Sequence, residues 1–196
     1  EIALQTVLHA EAYDFGGWNP RTNWWDYVAS DRDRRRWLCA PIGLIDHLAK
    51  REQPPLLANL LGSDNLHGPG GNLLVVGGAG SGKTTLLRTL AMSLAHLYSP
   101  ADAQMYALSF AGHELNLLEG LPHVGAVITG EQRERVLRLL RFLLKTLDDR
   151  RLSFAQMGVD NLEMYNHRLS QLRRANAPQN ATYQEMDFYP AIIVLI

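Results

Sequence analysis

Eight consecutive residues, Gly77-Gly78-Ala79-Gly80-Ser81-Gly82-Lys83-Thr84, put four glycines ahead of a lysine and a hydroxyl in the pattern G-x-x-x-x-G-K-[ST]. Glycines at these positions let the backbone fold into a concave nest of N–H groups that fits a phosphate. A helix starting directly behind the nest aims the positive end of its dipole at the same anion. Lys83 then supplies a point charge for the β- and γ-phosphates of a nucleotide, and the Thr84 hydroxyl is of the type that ligates Mg²⁺. The candidate nucleotide-binding set is Gly78, Ala79, Gly80, Ser81, Gly82, Lys83, Thr84 and Thr85, with Lys83 as the catalytic cation, Thr84 as the metal ligand, and ATP and Mg²⁺ as the implied ligands. A glycine-rich turn that merely connects a strand to a helix is the competing reading.

The neighbouring residues decide between the two. Asn72-Leu73-Leu74-Val75-Val76 reads as a short buried strand, and Leu86, Leu87, Leu90, Ala91, Leu94 and Leu97 recur at the spacing of a helix with one apolar face. Ser99-Pro100 stops that helix, and Gln104 to Phe110 reads as the next strand, which makes a βαβ unit and hence a parallel sheet. Val124 to Ile128 forms another short strand. Thr129 with Gln132 predicts a capping box for a long helix, whose stripe is Val136, Leu139, Leu140, Leu143, Leu144 and Leu147. Gly158 ends it, and Asp160 with Glu163 predicts the cap of a second helix running to about Arg174. Residues 175 to 188 are polar and turn-rich. The run Ala191 to Ile196 is continuous and β-branched, as expected of a central parallel strand buried on both faces. Upstream, Pro41 to Leu44 and Pro55 to Leu60 read as two short strands. The expected fold class is α/β, a phosphate-loop core with a mainly parallel sheet flanked by helices.

Residues 1–39 differ in character. All four tryptophans, Trp18, Trp24, Trp25 and Trp37, fall there, with an Asp/Arg run from Asp31 to Arg36, and the segment reads as a docking appendage to a core spanning 40–196. The net charge is −1, and 16 arginines accompany only three lysines. A balance so near neutral lacks the basic field of a protein that grips nucleic acid through its phosphates. Cys39 is the single cysteine, which excludes an internal disulfide and a thiolate metal cage, and the seven histidines lack metal-ligand spacing. No run of about 18 apolar residues is present. Asn180-Ala181-Thr182 matches a glycosylation sequon by chance.

Several of these segments together resemble the FtsK/SpoIIIE family of ATPases. They are Pro41-Ile42-Gly43-Leu44, the loop Gly77 to Thr85 with Leu86-Leu87-Arg88-Thr89-Leu90, Glu114-Leu115, and Leu118-Glu119-Gly120-Leu121-Pro122-His123-Val124-Gly125. Arg150-Arg151, Phe154, Gly158-Val159 and Tyr165-Asn166 extend the likeness, which covers roughly residues 40–196. The LPHVG segment looks most similar to the ATPase modules of the EccC type in type VII secretion. The resemblance implies a RecA-like fold, hexameric assembly with neighbouring copies or modules, and coupling of ATP hydrolysis to translocation. For the secretion branch it implies membrane-embedded partners on the cytoplasmic side of the bacterial membrane and a substrate protein's signal peptide as cargo; for the FtsK branch it implies DNA. A third reading is a nucleotide-loaded module that binds partner peptides without hydrolysis. The family pattern also makes Glu114 a residue at the nucleotide edge of the sheet, and expects an arginine finger, for which Arg133, Arg135, Arg138, Arg141, Arg150 and Arg151 are all candidates. Two departures accompany it: Ser109 stands where the family carries an Asp, and the acidic residues expected directly after the strand Ile192 to Ile196 are not in the sequence, which reads as C-terminally incomplete.

Overall fold

The computed structural model describes residues 17–22, 24–26, 38–60, 71–110, 112–174 and 186–196. Its centre is a three-stranded parallel sheet made of β5 (Ala103–Ser109), β6 (Val124–Thr129) and β7 (Ala191–Leu195), in the order β6-β5-β7. Alternation along β5 assigns its two faces. Met105 and Ala107 turn toward α1 (Lys83–Leu97), where they meet Leu90, Ala91 and Leu94 together with Val127 and Leu195. Leu108 and Tyr106 turn the other way, onto Val136, Leu139 and Leu143 of α2 (Arg133–Met157). Helices therefore cover both faces, as parallel strands require.

The far side of α1 is covered by an antiparallel ribbon of β3 (Cys39–Leu44) and β4 (Pro55–Asn59), which contributes Ala40 and Ala58 to the same core. A helix between two sheets must be apolar nearly all round, and Leu90, Ala91, Leu94, Ala95 and Leu97 are all buried. Two hydroxyls fix the ribbon to the helix: buried Ser93 donates to the Pro41 carbonyl at 2.6 Å, and Tyr98 donates to the Cys39 carbonyl at 3.3 Å. Leu38 packs with Ala103 and Ala191. A second small ribbon, β1 (Gly17–Asn19) with β2 (Trp24–Asp26), lies against the C-terminal end of α1, where a Cβ on Gly17 would come within 2.7 Å of the His96 carbonyl oxygen. The Asp31–Arg36 run, Trp37 and the Asn180 sequon lie outside the described residues.

Beyond Gly158, which takes the left-handed C-cap of α2, the short helix α3 (Leu162–Arg174) packs back through Tyr165 and Leu169 onto Met157 and Val159.

Several sequence expectations need correction. Residues 72–76 run in no strand, with Leu74 86% and Val76 83% exposed. A β-strand exists only through a partner's ladder, and among the described residues none pairs with this segment. β7 is parallel as expected, but it lies at an edge of the three-stranded sheet, and only Ala191 and Leu195 are buried. Thr129 is no cap: it pairs with Ser109 as the last residue of β6, and α2 starts after Gln132, whose side chain accepts from Arg135 instead. The cap of α3 falls one residue later than expected, where Asn161 Oδ1 accepts the Met164 N–H at 2.8 Å. Of the α2 stripe only Leu139 is buried. Leu140, Leu144 and Leu147 face outward.

Candidate nucleotide site

α1 begins abruptly at Lys83. Gly80 (φ 74°) and Gly82 (φ 89°) both sit in the left-handed region, which a side chain disfavours, and this reverses the chain into the helix within three residues. Gly82 is the N-cap and brings no side chain to the helix end. The Leu86 N–H is the one that closes the first turn, onto the Gly82 carbonyl at 2.8 Å. The N–H groups ahead of it, those of Lys83, Thr84 and Thr85, are left to a ligand or water by helix geometry. Gly77 is required for a different reason: a Cβ there would lie 2.4 Å from Ser81 Oγ and 3.1 Å from Ser81 Cβ. The two ends of the loop are that close, and the Ser81 N–H leans on the Gly78 carbonyl at 3.4 Å.

Lys83 folds its side chain back across the loop. Its Nζ donates to the Gly77 carbonyl at 2.9 Å and to the Gly78 carbonyl at 2.6 Å. An ammonium with three donors is thus held at the mouth of a nest of peptide dipoles by acceptors that a phosphate oxygen can replace. Gly78, Ala79, Gly80, Ser81 and Gly82 are exposed around it, Thr84 is half-buried, and Thr85 accepts the Thr89 hydroxyl at its carbonyl. The loop and the start of α1 are therefore brought together at one exposed place, with the Lys83 ammonium folded back over the loop.

Glu114 opens the 3-10 turn Glu114–Gly120, which packs through Leu115 and Leu118 against the same core as α1. The turn follows the C-terminal end of β5, the edge of a parallel sheet where open α/β folds bind ligands. Glu114 is exposed, and among the described residues no hydrogen bond joins it to 77–85. Ser109 is committed locally: its hydroxyl donates to the Gly112 carbonyl at 2.6 Å, and its carbonyl accepts the Gly130 N–H at 2.9 Å. Among the described residues no group of three His, Cys, Asp or Glu side chains converges on a metal position, and Thr84 sits half-buried in the first turn of α1.

The arginines separate into two sets. Arg133, Arg135, Arg138, Arg141 and Arg151 lie on exposed parts of α2. Arg150 does not: its guanidinium stacks over the Tyr189 ring at 5.1 Å, and burial, opposed by the Tyr189 hydroxyl, pushes its pKa down. It belongs to an aromatic cluster that sequence reading leaves undetected. Tyr189 stacks on Tyr165 with centroids 4.9 Å apart and meets the Ser153 hydroxyl at 2.9 Å. Asn166 then grips the Tyr189 backbone twice, donating Nδ2–H to its carbonyl (2.8 Å) and accepting its N–H at Oδ1 (3.0 Å). The Tyr165 phenol is pushed up to about 12 by burial first and by Tyr189 second. These contacts fix residues 186–190 immediately before β7. The signal in the sequence was Tyr165-Asn166; its partner is 23 residues away.

His123 is the other polar residue of consequence. It is 2% exposed, and its Nε2–H donates to the Tyr98 carbonyl at 2.7 Å, which selects that tautomer of the neutral ring. Burial lowers its pKa, against the opposing effects of that bond and of Asp102.

The FtsK/SpoIIIE family model matches residues 46–185. The chain is 38% identical over 133 residues to the ESX-5 secretion system protein EccC5 of Mycobacterium marinum, an alignment that takes in 68% of this chain and 9% of that protein. It thus spans about a tenth of the length of that curated relative. Among solved structures, the cytoplasmic domain of the Thermomonospora curvata type VII secretion ATPase EccC superposes with TM-score 0.69 at 29% identity, covering 98% of this chain and 20% of that one. A structure of ATPases 2 and 3 of the same EccC in complex with a signal sequence peptide gives 0.64 at 28% identity, covering 94% and 29%.

Proposed function

The chain belongs to the FtsK/SpoIIIE family, and from that premise we propose that it is an ATP-binding module of a protein-export motor of the type VII secretion kind. The observation that carries the reading is Lys83, whose Nζ rests on the Gly77 and Gly78 carbonyls at the mouth of the loop, directly before the uncapped start of α1. The β-phosphate of ATP would occupy the nest of residues 78–82, its oxygens taking the N–H groups at the head of α1, while Lys83 exchanges its carbonyl partners for phosphate oxygens. Thr84 would hold Mg²⁺, which neutralises phosphate charge when bound. Glu114 would lie along the nucleotide edge. Hydrolysis, by in-line attack of water on the γ-phosphate, needs in addition a group to orient that water and an arginine from a neighbouring module; Arg133, Arg135, Arg138, Arg141 and Arg151 are exposed enough to serve a neighbour in the same way. Arg150, stacked on Tyr189, is not.

By its likeness to secretion ATPases the module would act with neighbouring copies or modules in a hexamer, at the cytoplasmic side of a membrane-anchored machine, with a signal peptide as substrate. Residues 1–39 would form a docking segment on the body of 40–196, which the seat of Gly17 on His96 supports. A net charge of −1 argues against DNA as cargo. One observation favours a second reading, a nucleotide-loaded module without turnover: the Ser109 hydroxyl, at the end of β5, is spent on Gly112 and offers no acid.

The test is titration calorimetry with ATP. Lys83→Ala is expected to weaken binding by at least about tenfold, through loss of a charge-assisted phosphate contact. Equal affinities would remove the nucleotide reading.

A further inference from the structure

The outward face of α2 carries two parallel rows that neither the loop 77–85 of this chain nor its core uses. Leu137, Leu140, Leu144 and Leu147 follow one another at steps of three, four and three, and they are 44% to 62% exposed. That is the a/d spacing of a coiled-coil seam over two heptads, and residues at these steps align on one side of a helix. Beside them, at steps of three and four, run Arg138, Arg141 and Lys145, all exposed. On the opposite flank Val136 and Leu143 turn into the body of the protein. The leucine seam therefore has one free flank, and that flank is cationic.

We propose that this face is a docking seam for an amphipathic helix of a partner protein, with an apolar row to pack on the four leucines and an acidic row to meet Arg138, Arg141 and Lys145. Charge complementarity selects the occupant. A second copy of α2 docked antiparallel on the seam would bring Arg141 against Arg141 and Arg138 against Lys145, which like-charge repulsion opposes. An anionic membrane surface matches the charge but not the shape: the stripe is a narrow row of leucines, whereas interfacial helices present a wide apolar face with Trp or Phe. Exposed Glu134 at one end and Asp148, pairing with Arg151 at 4.0 Å, at the other bound the cationic row, which spans Arg138 to Lys145 and limits the partner's acidic row to about one heptad.

The experiment uses the whole chain and two fluorescent designed helices of about three heptads, with leucine at a and d and either Glu or Lys along one flank. Fluorescence anisotropy is expected to show saturable binding of the Glu-flanked helix and at least about tenfold weaker binding of the Lys-flanked one. Leu140→Asn/Leu144→Asn should abolish binding of both. Arg138→Glu/Arg141→Glu/Lys145→Glu should reverse the preference, so that the Lys-flanked helix now binds; this gain of binding cannot come from misfolding. Failure of the Glu-flanked helix to bind, equal binding of the two, or an unchanged preference in the charge-reversed variant overturns the proposal. So does dimerisation of the chain in sedimentation that Leu144→Asn abolishes, or adsorption to phosphatidylserine vesicles with no binding of either helix.

Discussion

Gly77→Ala isolates a steric requirement of the loop from a conformational one. The backbone of Gly77 is not in the left-handed region, so alanine is allowed there by its own dihedral angles. What forbids it is Ser81, with Oγ at 2.4 Å and Cβ at 3.1 Å from the new methyl. The hydroxyl can rotate away, but carbon atoms pack at about 3.5–4.0 Å. Residual Cβ–Cβ overlap must therefore be relieved by opening the mouth of the loop by several tenths of an ångström. Overpacking of this kind costs about 1–3 kcal/mol. Charged entirely to the bound state, in which the nest must close on phosphate, that is a loss of roughly five- to 150-fold in ATP affinity. Ser81→Gly removes both offending atoms, so Gly77→Ala/Ser81→Gly should bind ATP within about threefold of Ser81→Gly alone, whereas Gly77→Ala/Ser81→Ala should recover only part of the loss. Calorimetric titration of wild type, the three single variants Gly77→Ala, Ser81→Gly and Ser81→Ala, and the two doubles completes both double-mutant cycles. If Gly77→Ala binds as wild type, or if Ser81→Gly fails to rescue it, the contact between the loop ends is not what excludes a side chain at residue 77.

Asn166→Ala deletes both side-chain bonds to the Tyr189 backbone and should lower unfolding free energy by about 1–3 kcal/mol in chemical denaturation, with Asn166→Asp recovering less than half because it cannot donate to the carbonyl. The pH dependence should carry the signature of His123: its pKa is lowered on folding, so the unfolded chain takes up a proton that the folded one refuses as pH falls below 6.5. Stability is then flat above that pH and declines below it, by at most about 1.4 kcal/mol per pH unit for one proton, and His123→Gln should remove this share of the slope in melts between pH 8 and pH 5. Phosphate release by a single module should stay near background, rising when modules assemble so that an arginine of a neighbour reaches the γ-phosphate; turnover by the monomeric chain that Lys83→Ala abolishes would refute this.

What could be read in advance was what local chemistry decides. The loop, α1 and its stop at Ser99-Pro100 are set by glycine placement, apolar period and proline, all within a few residues of where they act. Strands β5 and β6 were legible for the same reason. Residues 72–76 were not, because an apolar run becomes a strand only against an edge, and edges are supplied from elsewhere in the chain. Caps failed by competition: Thr129 was taken by the ladder with Ser109, and Asn161 outbid Asp160 by one position. For α2 the pattern gave the apolar residues but not how many of them the body would cover, since Leu139 and Leu140 are equal as letters and opposite in the fold. The Asn166–Tyr189 grip joins a helix to a segment that composition marks only as polar, and pairings of that range leave no periodic trace.

α1 has one further consequence. Fifteen residues at 1.5 Å each make a rod of about 22 Å, with Lys83 at its head and, just past its tail, the Tyr98 carbonyl on which His123 rests. Sheet on one side and ribbon on the other, pinned by the Ser93 and Tyr98 hydroxyls, deny this rod rotation and sideways travel. The end that carries Lys83 and the buried corner of Tyr98, His123 and the strand β3 are thus the two ends of one element, held along both of its faces by the same core.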